Sequence, residues 1–412
     1  MTTPGPDAAP ANVLERLAST HPDCEVWFDS SPLVYPKWKA SVLAGAPAGK
    51  RGTWATQLTR LFDRDTVRDT GTMFFGGVTT NPPLSLGAIE NDPEFWRGVI
   101  AERVAAEPGA SVEAVYWHTY LEIVRLGAAE IRPVFERSAG RHGFLSGQVD
   151  PRFVTDRERM LAQGLELAGI APNVMVKIPG SKEGYEVIEE LTARGIATNN
   201  TTSFTVPQYV TCMDAVSRGL ERGRAAGVDF SRWRSVITHM SARLGNVGDL
   251  AAEAQTRGIA LAPDEITLGE LAVLKRAYRY GRERNHPSKM LQCSMRVTKD
   301  ADGRRHSWHV EKLAGGDFVY TCPPGYIGQL MDAEDDLVFD AKAIDEDASP
   351  ELIAKLRQLP YFRKAYDFDG MAPEQFASFG AFAATATEFA AATRKTVDFV
   401  ARVVEARQSR AA

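Results

Sequence analysis

Residues 173–179 read Asn173-Val174-Met175-Val176-Lys177-Ile178-Pro179, an apolar strand with a lysine inside it. Strand periodicity puts Met175 and Lys177 on one face and Val174, Val176 and Ile178 on the other. An ammonium in such a strand is costly unless its charge is paired or removed. On the inward face of a barrel, desolvation would depress the lysine pKa and favour the free amine that Schiff-base chemistry on a carbonyl requires. A lysine at a strand end, with its ammonium in solvent, fits the same segment equally well. The strands around it must decide between the two.

Short apolar runs recur on both sides, at 24–29, 73–78, 143–149, 195–199, 235–240, 289–295 and 317–321. Helical patterns separate them. From Leu121 to Phe135 apolar residues fall at 121, 124, 128, 131 and 135, one buried stripe of a helix. Thr155–Leu167 repeats the pattern, and the stripe Tyr185, Ile188, Leu191 closes on Gly195 as a C-cap. Strands alternating with helices predict an α/β fold, a parallel sheet closed as a single (β/α)8 TIM barrel. Additional N- and C-terminal helices and inserted loops account for the remaining length. The expected organisation is an N-terminal segment or helix over 1–22 and a barrel unit over 23–412, with C-terminal helices at about 350–410. The Ala-rich tail 373–407 carries Phe382, Phe389, Val397, Val400 and Val404 near helical spacing, as one long helix or a pair. Residues 44–50 read as a small-residue loop, 299–312 as a hairpin, and the acidic run 331–350 as a solvated surface.

Composition narrows the function classes. The 412 residues carry 48 Lys plus Arg against 53 Asp plus Glu, a net charge of −5 with no basic block, so no electrostatic footprint for nucleic acid exists. No window approaches the roughly 18–20 apolar residues of a membrane span. The opening MTTPGPDAAPANVLERL shows no secretory pattern. Cys24, Cys212, Cys293 and Cys322 form no CxxC and read as reduced thiols of a cytoplasmic protein.

Polar residues gather where the apolar runs end. Asp29 follows Val26-Trp27-Phe28; Thr79, Thr80 and Asn81 follow Gly77-Val78; Ser146 and Gln148 share a face of the run 143–149. Each alone is a turn or capping residue. Their recurrence at the carboxyl ends of several strands is what a barrel active site requires.

Taken together, these segments resemble the transaldolase family of Schiff-base-forming (class I) aldolases. Gly77-Val-Thr-Thr-Asn-Pro82 resembles its GVT(S/T)NP signature, and Val176-Lys-Ile-Pro179 with Glu183-Gly184 its lysine motif. Residues 195–208, with Asn199, Thr201, Phe204 and Gln208, and Cys293-Ser-Met-Arg296 are similar to its next blocks, as is Leu313–Asp317 leading to Pro323-Pro324. The matches run in order from about 25 to 330. The resemblance implies a metal-free and cofactor-free transferase acting on sugar phosphates, a ketose donor and an aldose acceptor, in the pentose phosphate pathway or on non-standard sugars. It implies catalytic roles for Lys177, Asp29, Gln148 and Thr201. Thr79, Asn81 and Asn199 would hold substrate hydroxyls, and Arg243, Ser294 and Arg296 the phosphate. The planar fork of arginine suits that last task, and a surface ion pair is the expectation set aside for Arg243 and Arg296. No membrane or nucleic-acid partner is implied, and a homo-oligomer is compatible with all of it.

Two positions depart from the family pattern. Gln148 stands where the family's S-x-E-V-D segment has a glutamate, and glutamine orients water without taking its proton. Glutamine there is similar to the fructose 6-phosphate aldolases, which release free dihydroxyacetone. Met240 stands where an aromatic residue is usual, and Thr238-His239 before it also differs; His239 reads as packing rather than a new acid or base. Three readings therefore compete: three-carbon transfer, an aldolase, and a sugar-phosphate-binding barrel without turnover. Gly45–Lys50 fails the spacing of a phosphate loop, and His306 and His309 in an extended hairpin would face apart, so neither adds a site. Cys293 reads as an inert buried thiol.

Overall fold

The computed structural model describes residues 9–300 and 302–411. Eight parallel strands close into a barrel: β1 (Glu25–Phe28), β2 (Gly77–Thr79), β3 (Phe144–Gln148), β4 (Val174–Pro179), β5 (Thr198–Thr201), β6 (Ser235–Met240), β7 (Lys289–Cys293) and β10 (Phe318–Cys322). Each strand pairs with its neighbours in sequence, and β10 closes the ring on β1 with Glu25 opposite Val319. Every apolar run of the sequence therefore becomes a barrel strand. Two start later than the runs do. In the stretch before β2, the Phe74 amide is drawn to the Leu61 carbonyl at the end of a preceding helix, so the ladder begins only at Gly77. Before β5, Gly195 adopts φ +73 and its amide bonds to Thr192, while Ile196 bonds to Leu191. This is a Schellman closure that needs glycine's left-handed freedom, and the chain extends only from Thr198.

The helices bury the stripes read from the sequence. The helix Val112–Arg137 is capped by Ser111 and buries Val124, Ala128, Ile131 and Phe135 against the barrel wall, with Leu121 only partly buried. Gly184 shows how closely the layers meet. A Cβ there would lie 2.0 Å from the Pro179 carbonyl at the end of β4, so only glycine lets the helix Lys182–Ala193 start directly behind the lysine strand. At the N-terminal segment the helix Val13–Ala18 packs into the core through Val13, Leu14 and Leu17; residues 1–8 of that segment lie outside the described residues. The tail is a short 3-10 turn (Pro373–Ser378) followed by one helix, Gly380–Ala411, that buries Phe382, Phe389, Val400 and Val404.

One inserted segment differs from expectation and another meets it. The hairpin covers only the first half of 299–312, as β8 (Thr298–Lys299) and β9 (Arg305–His306). The Ser307 amide then bonds to the Glu311 carboxylate and starts a short helix, Trp308–Glu311, which buries His309. The acidic run is a solvated surface, as expected, with six of its eight acids exposed; surface ion pairs join Glu334 and Asp335 to Lys50, Asp336 to Arg305, Glu346 to Lys312 and Asp347 to Arg279. Among the described residues no helix is long and apolar enough to cross a membrane.

Candidate active site

Strand register decides which side chains meet inside the barrel. On β4 Lys177 lies level with Gln148 of β3 and Asn199 of β5, and all three face inward. Lys177 is only 5% exposed, and its amine donates to the Thr80 carbonyl at 2.9 Å. Among the described residues it makes no salt bridge. Burial lowers its pKa, opposed by the charge of Asp29. The strand-end alternative, an ammonium in solvent, is thereby excluded.

Asp29 follows β1 and accepts a hydrogen bond from Thr79 at 2.6 Å, while Thr79 also bonds to Thr321 of β10. Burial raises the Asp29 pKa against the pull of Lys177, Thr79 and Arg243. The enclosed site thus biases a carboxyl and an amine toward their neutral forms, an acid and a nucleophile that exchange protons readily.

Around this level the polar groups are bonded in series. Thr238 donates to Asn199 at 2.8 Å, and the Asn199 amide donates to Ser146 at 3.0 Å. Asn81 accepts from the Leu84 amide at 2.9 Å as a helix cap, which leaves its NH2 group for the cavity. The Tyr120 hydroxyl donates to the Gln148 carbonyl and accepts from the Gln148 amide, both at 2.7 Å, and so fixes β3 at the lysine's level. The Gln148 side-chain oxygen is buried without a partner.

A cavity of about 360 Å³ opens above this layer at the carboxyl ends of the strands. Eight residues singled out in the sequence line it: Asp29, Thr79, Asn81, Lys177, Thr201, Arg243, Ser294 and Arg296. Gln148 and Asn199 sit beneath the wall rather than in it. A larger hollow of about 730 Å³ lies at the opposite end of the barrel. Its Arg234 and Lys289 both pair with Glu25, and it holds none of the residues predicted for chemistry, so the smaller cavity is the candidate site.

The two arginines combine what the sequence reading set apart. Both line the cavity, yet both are ion-paired. Arg243 forks onto Glu388 of the C-terminal helix at 2.6 and 3.1 Å, and Arg296 meets the fully buried Glu270 at 2.9 Å. Glu270 also accepts from the Gly245 amide and contacts His309, so Arg296 is held in a buried network. Ser294 has φ +59, a strained conformation for serine that turns the backbone at the cavity edge. His239 alternates outward on β6, buried among packed side chains, where desolvation pushes it down to about 3; it has no place in the site. Cys293 does line the cavity, but burial pushes its thiol up to about 12 and keeps it protonated.

The family model described as Transaldolase/Fructose-6-phosphate aldolase matches residues 62–382. The chain belongs to this family. Transaldolase 1 of Streptomyces avermitilis is 32% identical over 273 residues, covering 63% of this chain and 71% of that protein. The transaldolase of Thiobacillus denitrificans is 30% identical over 293 residues, 67% of this chain and 79% of its own length. A third, from Saccharopolyspora erythraea, is 36% identical over 184 residues, 44% and 49% of the two chains.

Within the family frame, several cavity residues escaped the sequence reading. Thr321 and Thr238 are inward hydroxyls on apolar strands, a signal that periodicity on β10 and β6 carries. Phe389 reads in the sequence only as a packing residue, and Glu388, which reaches the cavity's Arg243, gives no signal, because a helical stripe does not say which element it meets.

Proposed function

We propose that this chain is a transaldolase-type transferase that moves a dihydroxyacetone unit between sugar phosphates through a Schiff base on Lys177. One observation carries the reading: an amine buried in the barrel, bonded to a carbonyl rather than a carboxylate, at the floor of a polar cavity. A neutral Lys177 attacks the C2 carbonyl of a ketose phosphate; Asp29, entering as the neutral acid, supplies the proton with which the C2 oxygen leaves as water, giving an iminium and an Asp29 carboxylate. Asp29, as carboxylate, takes the C4 hydroxyl proton; the C3–C4 bonding electrons flow into the iminium as an enamine, and an aldose phosphate leaves. The enamine then attacks the carbonyl carbon of a second aldose phosphate, Asp29 returns the proton, and water releases the new ketose. The iminium is the electron sink, so the reading calls for no metal or organic cofactor. Asn81 orients hydroxyls with Thr79 nearby, Asn199 supports that layer from beneath through Thr238, Thr201 helps place water, and Arg243, Ser294 and Arg296 face the phosphate. The structure supports this reading through proximity and a desolvated amine.

The unpartnered oxygen of Gln148 supports a second reading. It is an acceptor suited to a water beside the lysine, which glutamine orients without deprotonating. Direct protonation of the enamine carbon, followed by hydrolysis of the resulting iminium, would then release free dihydroxyacetone. Incubation with fructose 6-phosphate with and without an aldose-phosphate acceptor separates the two. Acceptor-independent release overturns transfer, and failure of borohydride to trap an adduct on Lys177 with a panel of ketose phosphates overturns both.

A further inference from the structure

The phosphate end of the cavity is already filled with negative charge supplied by the chain itself. Arg243 presents both terminal nitrogens to Glu388, donates also to the Thr385 hydroxyl at 3.3 Å, and lies 5.7 Å over the Phe389 ring. That fork face is the one a guanidinium offers to a phosphate. Arg296, the other cation there, is bound to Glu270. The two acids differ in freedom. Glu270 is fully buried and has three partners, whereas the Glu388 side chain is 51% exposed. A carboxylate that wet gives up little on returning to water.

We propose that Glu388 is an internal competitor for Arg243, a specificity-determining residue whose carboxylate must leave before a substrate phosphate can bind. This rests on the phosphate role assigned to Arg243 above. A phosphate monoester brings a charge of about −1.5 to −2 at neutral pH against the single charge of the carboxylate, so it wins the exchange at a cost in affinity. Substrates with weakly charged or neutral ends do not displace Glu388 and find the fork closed. The C-terminal helix thereby joins substrate recognition through Thr385, Glu388 and Phe389.

The test is titration of the full chain with inorganic phosphate, comparing wild type with Glu388→Gln, alongside KM and kcat for the ketose phosphate that borohydride traps. Glu388→Gln should bind phosphate about fivefold more tightly, the order expected for losing a half-exposed ion pair. The change should fall on KM more than on kcat. Arg243→Ala should weaken phosphate binding in both backgrounds and abolish the difference between them. Equal or weaker phosphate binding by Glu388→Gln, or no measurable binding by either chain, overturns the proposal. Absence of a Lys177 adduct would instead overturn the Schiff-base reading, while the phosphate titration still reports on Glu388.

Discussion

Two lysines stand on strands of the same barrel and are treated in opposite ways. Lys289, at the amino end of β7, is clasped by Glu25 at 3.0 Å and Asp317 at 2.8 Å, and Glu25 is shared with Arg234 and His142 and accepts from the Trp27 indole. Lys177, on β4, has a carbonyl oxygen and no acid within bonding distance among the described residues. At one end of the barrel charge is neutralised in place. At the other an amine is buried without a counter-ion and so is pushed toward its reactive form. The contrast separates the end where charge is fastened from the end proposed for chemistry, and it can be broken from either side.

The largest expected effect is at Lys177. Lys177→Ala should remove the borohydride adduct and lower turnover on the order of 10⁴-fold or more, with circular dichroism unchanged. A variant retaining adduct formation would move the chemistry to another residue. Next is Glu25, whose loss leaves the half-buried Arg234 without its carboxylate and Lys289 with Asp317 alone. Glu25→Ala should cost about 3 kcal/mol of stability in denaturant unfolding. A loss near zero would show that the amino-end cluster is not a fastening.

The same carboxylate has a pH signature. Burial raises the Glu25 pKa, but Arg234, His142 and Lys289 outweigh it and hold the group well below the usual carboxylate range. Its contribution is thus fully present above the unfolded value near 4.5 and is lost as pH falls through the lower folded value. The stability gap between wild type and Glu25→Gln should accordingly narrow below pH ~4.5; a gap that widens there reverses the assignment. Glu270→Gln frees Arg296 from its buried partner and should raise KM about tenfold with a smaller change in kcat. An equal fall in both kcat and kcat/KM would make Glu270 more than a positioning residue. The smallest effect is a displacement in pH. Adduct formation by wild type should rise with pH through a value below the ordinary lysine range, because burial favours the free amine. A midpoint at or above pH ~10.4 would remove the distinction between the two lysines.

Much of this was legible in the chain. All eight strands were visible as apolar runs because barrel strands are buried on both faces, and the lysine was visible because it violates that pattern. Strand starts were less legible where a backbone amide found a helix carbonyl, as at Phe74, or where Gly195 first had to close a helix. Within the site, residues carried by strands were readable from position. The partners of Arg243 and Arg296 were not, since Glu388 and Glu270 lie on helices more than a hundred and about 26 residues away, respectively, and no local rule links them.

The seam between β1 and β10 has a temporal meaning. Glu25 and Val319 are neighbours in the ring but about 290 residues apart in the chain, one of the longest loops this fold has to close. While the chain is being synthesised, β1 has one edge without a partner until β10 has left the ribosome, and the cavity wall containing Phe389 arrives later still. A barrel that forms during synthesis would therefore stay an open sheet with a free edge until β10 is made, and its cavity wall would close only with the helix Gly380–Ala411.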